Sequence, residues 1–164
     1  MRLRDLWICR RGAAAAELAL LLPLLAGMLF GAIEVAYYFY NQHQVVKGVR
    51  DGARYASRQS FATINCESGA TMDSGVQTAI QEVTRTGRPS GGTTRVPGWE
   101  NAEVTVAVSC PTTAVTTGIY DGQTNAPVVT VTANVNYQSL FDGVGIITDS
   151  YTLNATQQSP VMGI

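Results

Sequence analysis

The chain has 164 residues, 46% of them hydrophobic, with 11 basic and 12 acidic side chains and a formal net charge of −1. That length favours one outer domain plus whatever the apolar N-terminal third forms, and leaves little room for two large independent domains. Charge is segregated: Arg2, Arg4, Arg10 and Arg11 precede Gly12 with only Asp5 against them, and without residues 1–12 the remainder would carry −4. A net-negative remainder is a poor match for a phosphate backbone, so nucleic acid is excluded as a partner.

No charged residue occurs from Leu18 to Ile33, and the wider segment 13–40 is interrupted only by Glu17 and Glu34. As a helix rising ~1.5 Å per residue it exceeds the roughly 30 Å of a bilayer's hydrocarbon. Arginines before it and "YYFY" (Tyr37 to Tyr40) after it place the N-terminus in the cytoplasm and everything beyond about Asn41 outside. Pro23 removes one backbone hydrogen bond and would kink or loosen this helix, which is expected to continue past it. Glu34 lies ~26 Å beyond Glu17 along such a helix and is placed at the outer interface, with no chemical role. Tyr37 to Tyr40 are read as interface anchors, and lone His43 has no metal partner.

Topology also sorts the three cysteines, since Cys9 falls on the cytoplasmic side and leaves Cys66 and Cys110 outside. These two either form a disulfide or remain buried thiols; an exported location favours the bond.

Helical spacing persists beyond the membrane in "NQHQVVKGVRDGARYASRQS" (Asn41 to Ser60), where Val45, Val49, Gly52 or Ala53, and Ala56 share a narrow face of small residues. Lys47, Arg50, Arg54 and Arg58 recur on another face, with Asp51 within reach of Lys47 and Arg54. A solvated face with weak ion pairs is preferred there over a binding stripe. Residues Thr63 to Gly75 show neither period and read as a loop, and "SGVQTAIQEVTRTG" (Ser74 to Gly87) reads as an amphipathic helix stopped by Gly87 and Pro89. Arg88 to Asn101 reads as a flexible connector from its glycine and proline content. Alternation then predicts strands within Ala102 to Cys110, Pro127 to Gln138 and Asp149 to Val161. The expected fold is α+β: a long N-terminal transmembrane helix continuing into an outer domain with a small antiparallel sheet and one further helix. The two helices must cover one face of that sheet.

Glu17 is the least expected residue, because a charge near a bilayer core costs roughly 2.5–3.5 kcal/mol on insertion scales. Four small residues and Gly12 precede it, and a secretory signal would instead cut after the apolar run. A cut after Gly12 keeps the helix and creates an α-amino group on Ala13, one turn from Glu17, where amine, carboxylate and helix dipole are mutually favourable. This arrangement resembles the class III signal peptides of type IV pilin-like proteins. The ordered set "GAAAAELALLLPLL", "GAIEVAYYFYNQ" and "VRDGARYASR" resembles the TadE-like family of the tight-adherence pilus system over Gly12 to Arg58. Major pilins of that system usually have tyrosine where Leu18 follows the glutamate, and are far shorter. Both departures favour a minor pilin or pseudopilin.

The resemblance implies cleavage between Gly12 and Ala13 by prepilin peptidase, recognition of a neighbouring subunit's N-terminus by Glu17, and a family GAR-type segment at Gly52, Ala53 and Arg54. It implies a single-pass protein of the bacterial inner membrane, N-terminus cytoplasmic and C-terminus periplasmic or, in a pilus, extracellular. Its partners would be the peptidase, other pilin-like subunits in a hetero-oligomer, and the inner-membrane assembly platform. The expected organisation is a leader at 1–12, a transmembrane helix at 13–40, its extension at 41–60 and an outer α+β domain at 61–164. Hydrolase, Walker and metal-spacing motifs are absent, so no enzyme activity, cofactor or metal is expected. The alternative is a membrane-anchored module that binds a ligand or surface without entering a filament.

Overall fold

The structure, a computed structural model, describes residues 13–111, 118–121, 125–141 and 151–163. The leader, with Gly12 and Cys9, lies outside the described residues. Helix α1 (Ala13–Ser57) is continuous through Pro23, and alanine and leucine dominate its first two turns. It ends by tightening: the amides of Arg58 and Gln59 donate to the carbonyls of Tyr55 and Ala56, and the Ser57 hydroxyl donates to Arg54.

The segment read as a loop contains a short hairpin, β1 (Ile64–Asn65) paired with β2 (Thr71–Met72). Two-residue strands are too short to show alternation in sequence. The Thr71 hydroxyl closes the hairpin by donating to the Asn65 side-chain oxygen at 2.8 Å. Helix α2 (Ser74–Thr86) follows, capped by the Asp73 carboxylate, which accepts from the amides of Gly75 and Val76 at 2.8 and 3.1 Å. It stops at Gly87, whose φ of 81° is cheap only for glycine and lets its amide donate to Val83.

Strands β3 (Val104–Ser109), β4 (Val128–Asn136) and β5 (Thr152–Pro160) form an antiparallel sheet in the order β3-β4-β5. Register pairs Val106 with Val131 and Val135 with Leu153, so the β-branched and leucine side chains meet on one face. Thr132 and Thr156 pair on the other, their hydroxyls 3.2 Å apart. Helix α1 covers β4 and β5 while α2 covers β3. The result is the expected α+β arrangement, two helices laid over one face of a three-stranded sheet.

The connector departs from expectation. Val96 and Trp99 are each 1% exposed and sit in the core among Val45, Val49, Ile80 and Val104. The Arg85 guanidinium fixes this crossing by donating to the Trp99 carbonyl at 2.9 Å. Glycine and proline content reported the turns around these residues but not their burial.

Cys66 and Cys110 are joined in a disulfide, with Cα atoms 5.8 Å apart and a sequence separation of 44. The bond ties the chain after β1 to the end of β3. Closing a loop of that length stabilises by about 4 kcal/mol in the chain-entropy model. Reducing it in the full chain in detergent should lower the unfolding free energy of the α+β domain by a matching amount, read from denaturant titrations by circular dichroism with and without reductant.

Candidate assembly surface

Helix α1 changes character along its length. From Leu18 to Leu29 its leucine and methionine side chains are 52–79% exposed, and α1 is long and apolar enough to cross a membrane. Glu17 is exposed in this bare portion, and Pro23 lies within the helix. Ala13 begins the helix. No described residue bonds to Glu17 through its side chain.

Docking on the domain begins near Phe30, whose ring centroid is 5.2 Å from that of Phe141. Glu34 comes next and is 1% exposed. One of its carboxylate oxygens accepts from the Tyr137 hydroxyl at 2.5 Å and the Leu140 amide at 3.3 Å; the other has no hydrogen-bond partner. Tyr37 and Tyr38 pack their rings on Tyr137 at 6.1 and 5.2 Å. Expected to be an interfacial residue without a role, Glu34 instead fastens the helix to the end of β4. The expected aromatic anchor divides: Tyr37 and Tyr38 face the domain, while Phe39 and Tyr40 are each 57% exposed. A sequence signal for this existed. Stepping back by three or four residues from Val45 along the buried face leads to Asn41, then Tyr38 or Tyr37, then Glu34, and both Asn41 and Glu34 are buried.

Above this junction the helix is built for close approach. Val45, Val49, Ala53 and Ala56 are at most 1% exposed, as the narrow face predicts. A Cβ on Gly48 would strike the Thr84 carbonyl and come within 2.9 Å of the Trp99 ring, and one on Gly52 would strike the Thr84 hydroxyl. That hydroxyl is held against α2 by donating to the Ile80 carbonyl at 2.8 Å. The GAR-type segment therefore has three surroundings: Gly52 admits α2, Ala53 fills the core, and Arg54 is exposed.

Arg54 belongs to a stripe with His43, Lys47, Arg50 and Arg58, all exposed. Asp51, expected to pair with Lys47 or Arg54, binds Arg95 of the connector at 2.7 Å. The other ion pair among the described residues is Arg85 with Glu82 at 3.1 Å, so the stripe has no acidic partner there. Tertiary structure outcompeted the local pairs because Arg95, 15% exposed, loses less order on pairing than two free surface chains would. Arg50 and Arg54 also line an open polar groove of about 380 Å³ with Gln157, Gln158 and Ser159 of β5. Among the described residues no three His, Cys, Asp or Glu side chains converge as metal ligands would.

The family model described as TadE-like protein matches residues 12–54. From Ala13 on, this is the bare helix together with the docked stretch through Arg54, and the resemblance read from the three motifs holds over the matched residues. No curated protein and no solved structure matches the chain.

Two substitutions probe the docked half. Gly52→Val should destabilise the domain by about 1–3 kcal/mol through overpacking against Thr84, whereas Gly27→Ala, with open space around it, should leave the unfolding midpoint unchanged. Tyr137→Phe should cost about 1–3 kcal/mol by depriving a buried carboxylate oxygen of its strongest donor. Denaturant titration of the full chain in detergent reads all three.

Proposed function

We propose that this chain, TadE-like over residues 12–54, is a minor pilin or pseudopilin of a tight-adherence pilus. It acts by assembling with other pilin-like subunits and performs no catalysis. The observation that carries this reading is the divided helix: a bare apolar half headed by Glu17, and a second half committed to its own domain. A helix whose first half has no partner among the described residues of its own chain is suited to packing against other subunits' helices once it leaves lipid.

In this reading prepilin peptidase cuts between Gly12 and Ala13, removing the basic leader 1–12. Residues 13–40 cross the inner membrane, the extension to 60 carries the helix into the domain, and 61–164 lies in the periplasm or on the assembled pilus. Cleavage leaves a cation on Ala13. Within one subunit it lies one turn from Glu17; between subunits, the carboxylate of one copy can pair with the amine of the next. Lipid cannot solvate an isolated carboxylate, so the pairing favours association in a particular axial register. The assembly platform of the inner membrane would take up the subunit in that state.

The mature N-terminus tests this directly. N-terminal peptide sequencing should find Ala13 first in cells with the peptidase and Met1 in cells without it; Met1 in both would overturn the reading in favour of a simple anchored module. Glu17→Ala should still be cleaved but leave cells without pili by electron microscopy. Normal piliation would remove the assembly role from Glu17 while leaving cleavage intact.

A further inference from the structure

The outer domain does not stand clear of the bare helix. Gln42 donates to the Asn154 carbonyl at 2.9 Å and the Met162 amide to the Ser57 carbonyl at 2.7 Å, so β5 runs alongside α1 and in the same direction. Below Gln42 the chain on either side of the β4–β5 connection continues downward. The Tyr137 amide donates to Tyr151, Leu140 reaches Glu34, and Phe141 reaches Phe30. Phe30 is twelve residues before Gln42, or ~18 Å down the helix axis. The described residues of this foot expose apolar surface: Leu140 is 50% exposed and Tyr151 55%, and Tyr151 lies beside Val35 at 45% and Phe39 at 57%. Tyr151, Val35, Tyr38 and Phe39 line an open apolar cleft of about 250 Å³.

The thickness of a bilayer sets where that foot can be. About 20 helical residues cross the hydrocarbon. A span starting as early as Ala13 ends near Ala32, and one starting after Glu17 ends near Tyr37. In both placements Phe30 and its partner Phe141 lie at or below the boundary, and Leu140, bonded to Glu34, lies within about 5 Å of it; Tyr151, level with Val35 to Phe39, lies at the boundary in the second placement and about 4–10 Å above it in the first.

We propose that the foot of the outer domain, carrying Leu140, Phe141 and Tyr151, is seated in the outer-leaflet interface and takes lipid as its partner alongside Val35 and Phe39. Its exposed apolar surface is continuous with that of the spanning helix, and tyrosine and phenylalanine suit a boundary that is apolar on one side and wet on the other. The same seating explains the cover over Glu34. A carboxyl group at that level of the helix would otherwise face acyl chains, and the foot wraps it with a hydroxyl and an amide. The membrane form of the subunit is thereby held upright by two attachments, helix and foot. Extraction into a filament must release both.

This inference rests on reading α1 as a membrane span, and the test separates the two. Full-length protein carrying Cys9→Ser, with Cys66 and Cys110 bonded, receives single cysteines by Leu140→Cys or Tyr151→Cys, labelled with an environment-sensitive fluorophore in phosphatidylcholine vesicles. Leu24→Cys serves as the lipid control. Ile119→Cys, at the far end of the domain where Tyr120 packs on Phe61, serves as the aqueous control. Labels at 140 and 151 should lose most of their emission to lipids bearing a nitroxide high on the acyl chain and little to aqueous iodide. The 119 label should do the reverse. Labels at 140 and 151 that follow the 119 label while the 24 label is quenched by lipid would overturn the foot and leave the span. Protection from both quenchers only at high protein-to-lipid ratio would assign the surface to a second copy of the chain and overturn lipid as the partner. A 24 label open to iodide would overturn the span itself, and the foot with it.

Discussion

In the proposed membrane-spanning arrangement, one unbroken helix, long and apolar enough to cross a bilayer, has to satisfy two solvents. Every backbone amide in a bilayer must be bonded within its own segment, so a helix is the natural way through. The same α1 then continues as a wall of the outer core without a hinge. Nothing separates anchor from domain except the side chains: leucine and methionine below, small residues with a few valines above. Because a helix presents its faces at 3.6 residues per turn, the face that meets the domain at Val45 is already set at Glu34. The polar junction there is a consequence of rigid continuity as much as of local chemistry.

Small residues on the outer half follow from the same constraint. A three-stranded sheet offers one modest apolar face, and both helices must lie close to it and to each other. Gly48 and Gly52 let α2 approach until Thr84 touches the backbone of α1. Glycine in a helix interior costs about 1 kcal/mol relative to alanine, and contact with α2 and the buried Trp99 offsets that loss. The Cys66–Cys110 bond supplements a core that fewer than about 125 outer residues would otherwise hold alone.

Periodicity carried most of the fold into view from sequence. Both helices and all three strands of the larger sheet stand within a few residues of where alternation or helical spacing puts them, and the motifs around Glu17 and Gly52 agree with the TadE-like match. What escaped was non-periodic or long-range. Trp99 and Val96 lie in a stretch whose composition signals turns, and nothing local states that a turn is buried. Arg95 takes Asp51 across 44 residues, a partner that i, i+4 reasoning cannot see. Glu34 escapes for a different reason: its charge and position match an interface so well that they mask the buried helical face, which is visible at Val45 and runs back to it.

If α1 is both anchor and core wall, its outer half cannot open while the sheet stays closed. Hydrogen exchange on the full chain in detergent, followed by mass spectrometry across a denaturant series, tests this most directly. The account predicts that amides from Val45 to Ala56 exchange as slowly as those of β4 and lose protection with them in one transition. Early loss of protection in the outer helix, with β4 still protected, would contradict it and make the helix a separable tether.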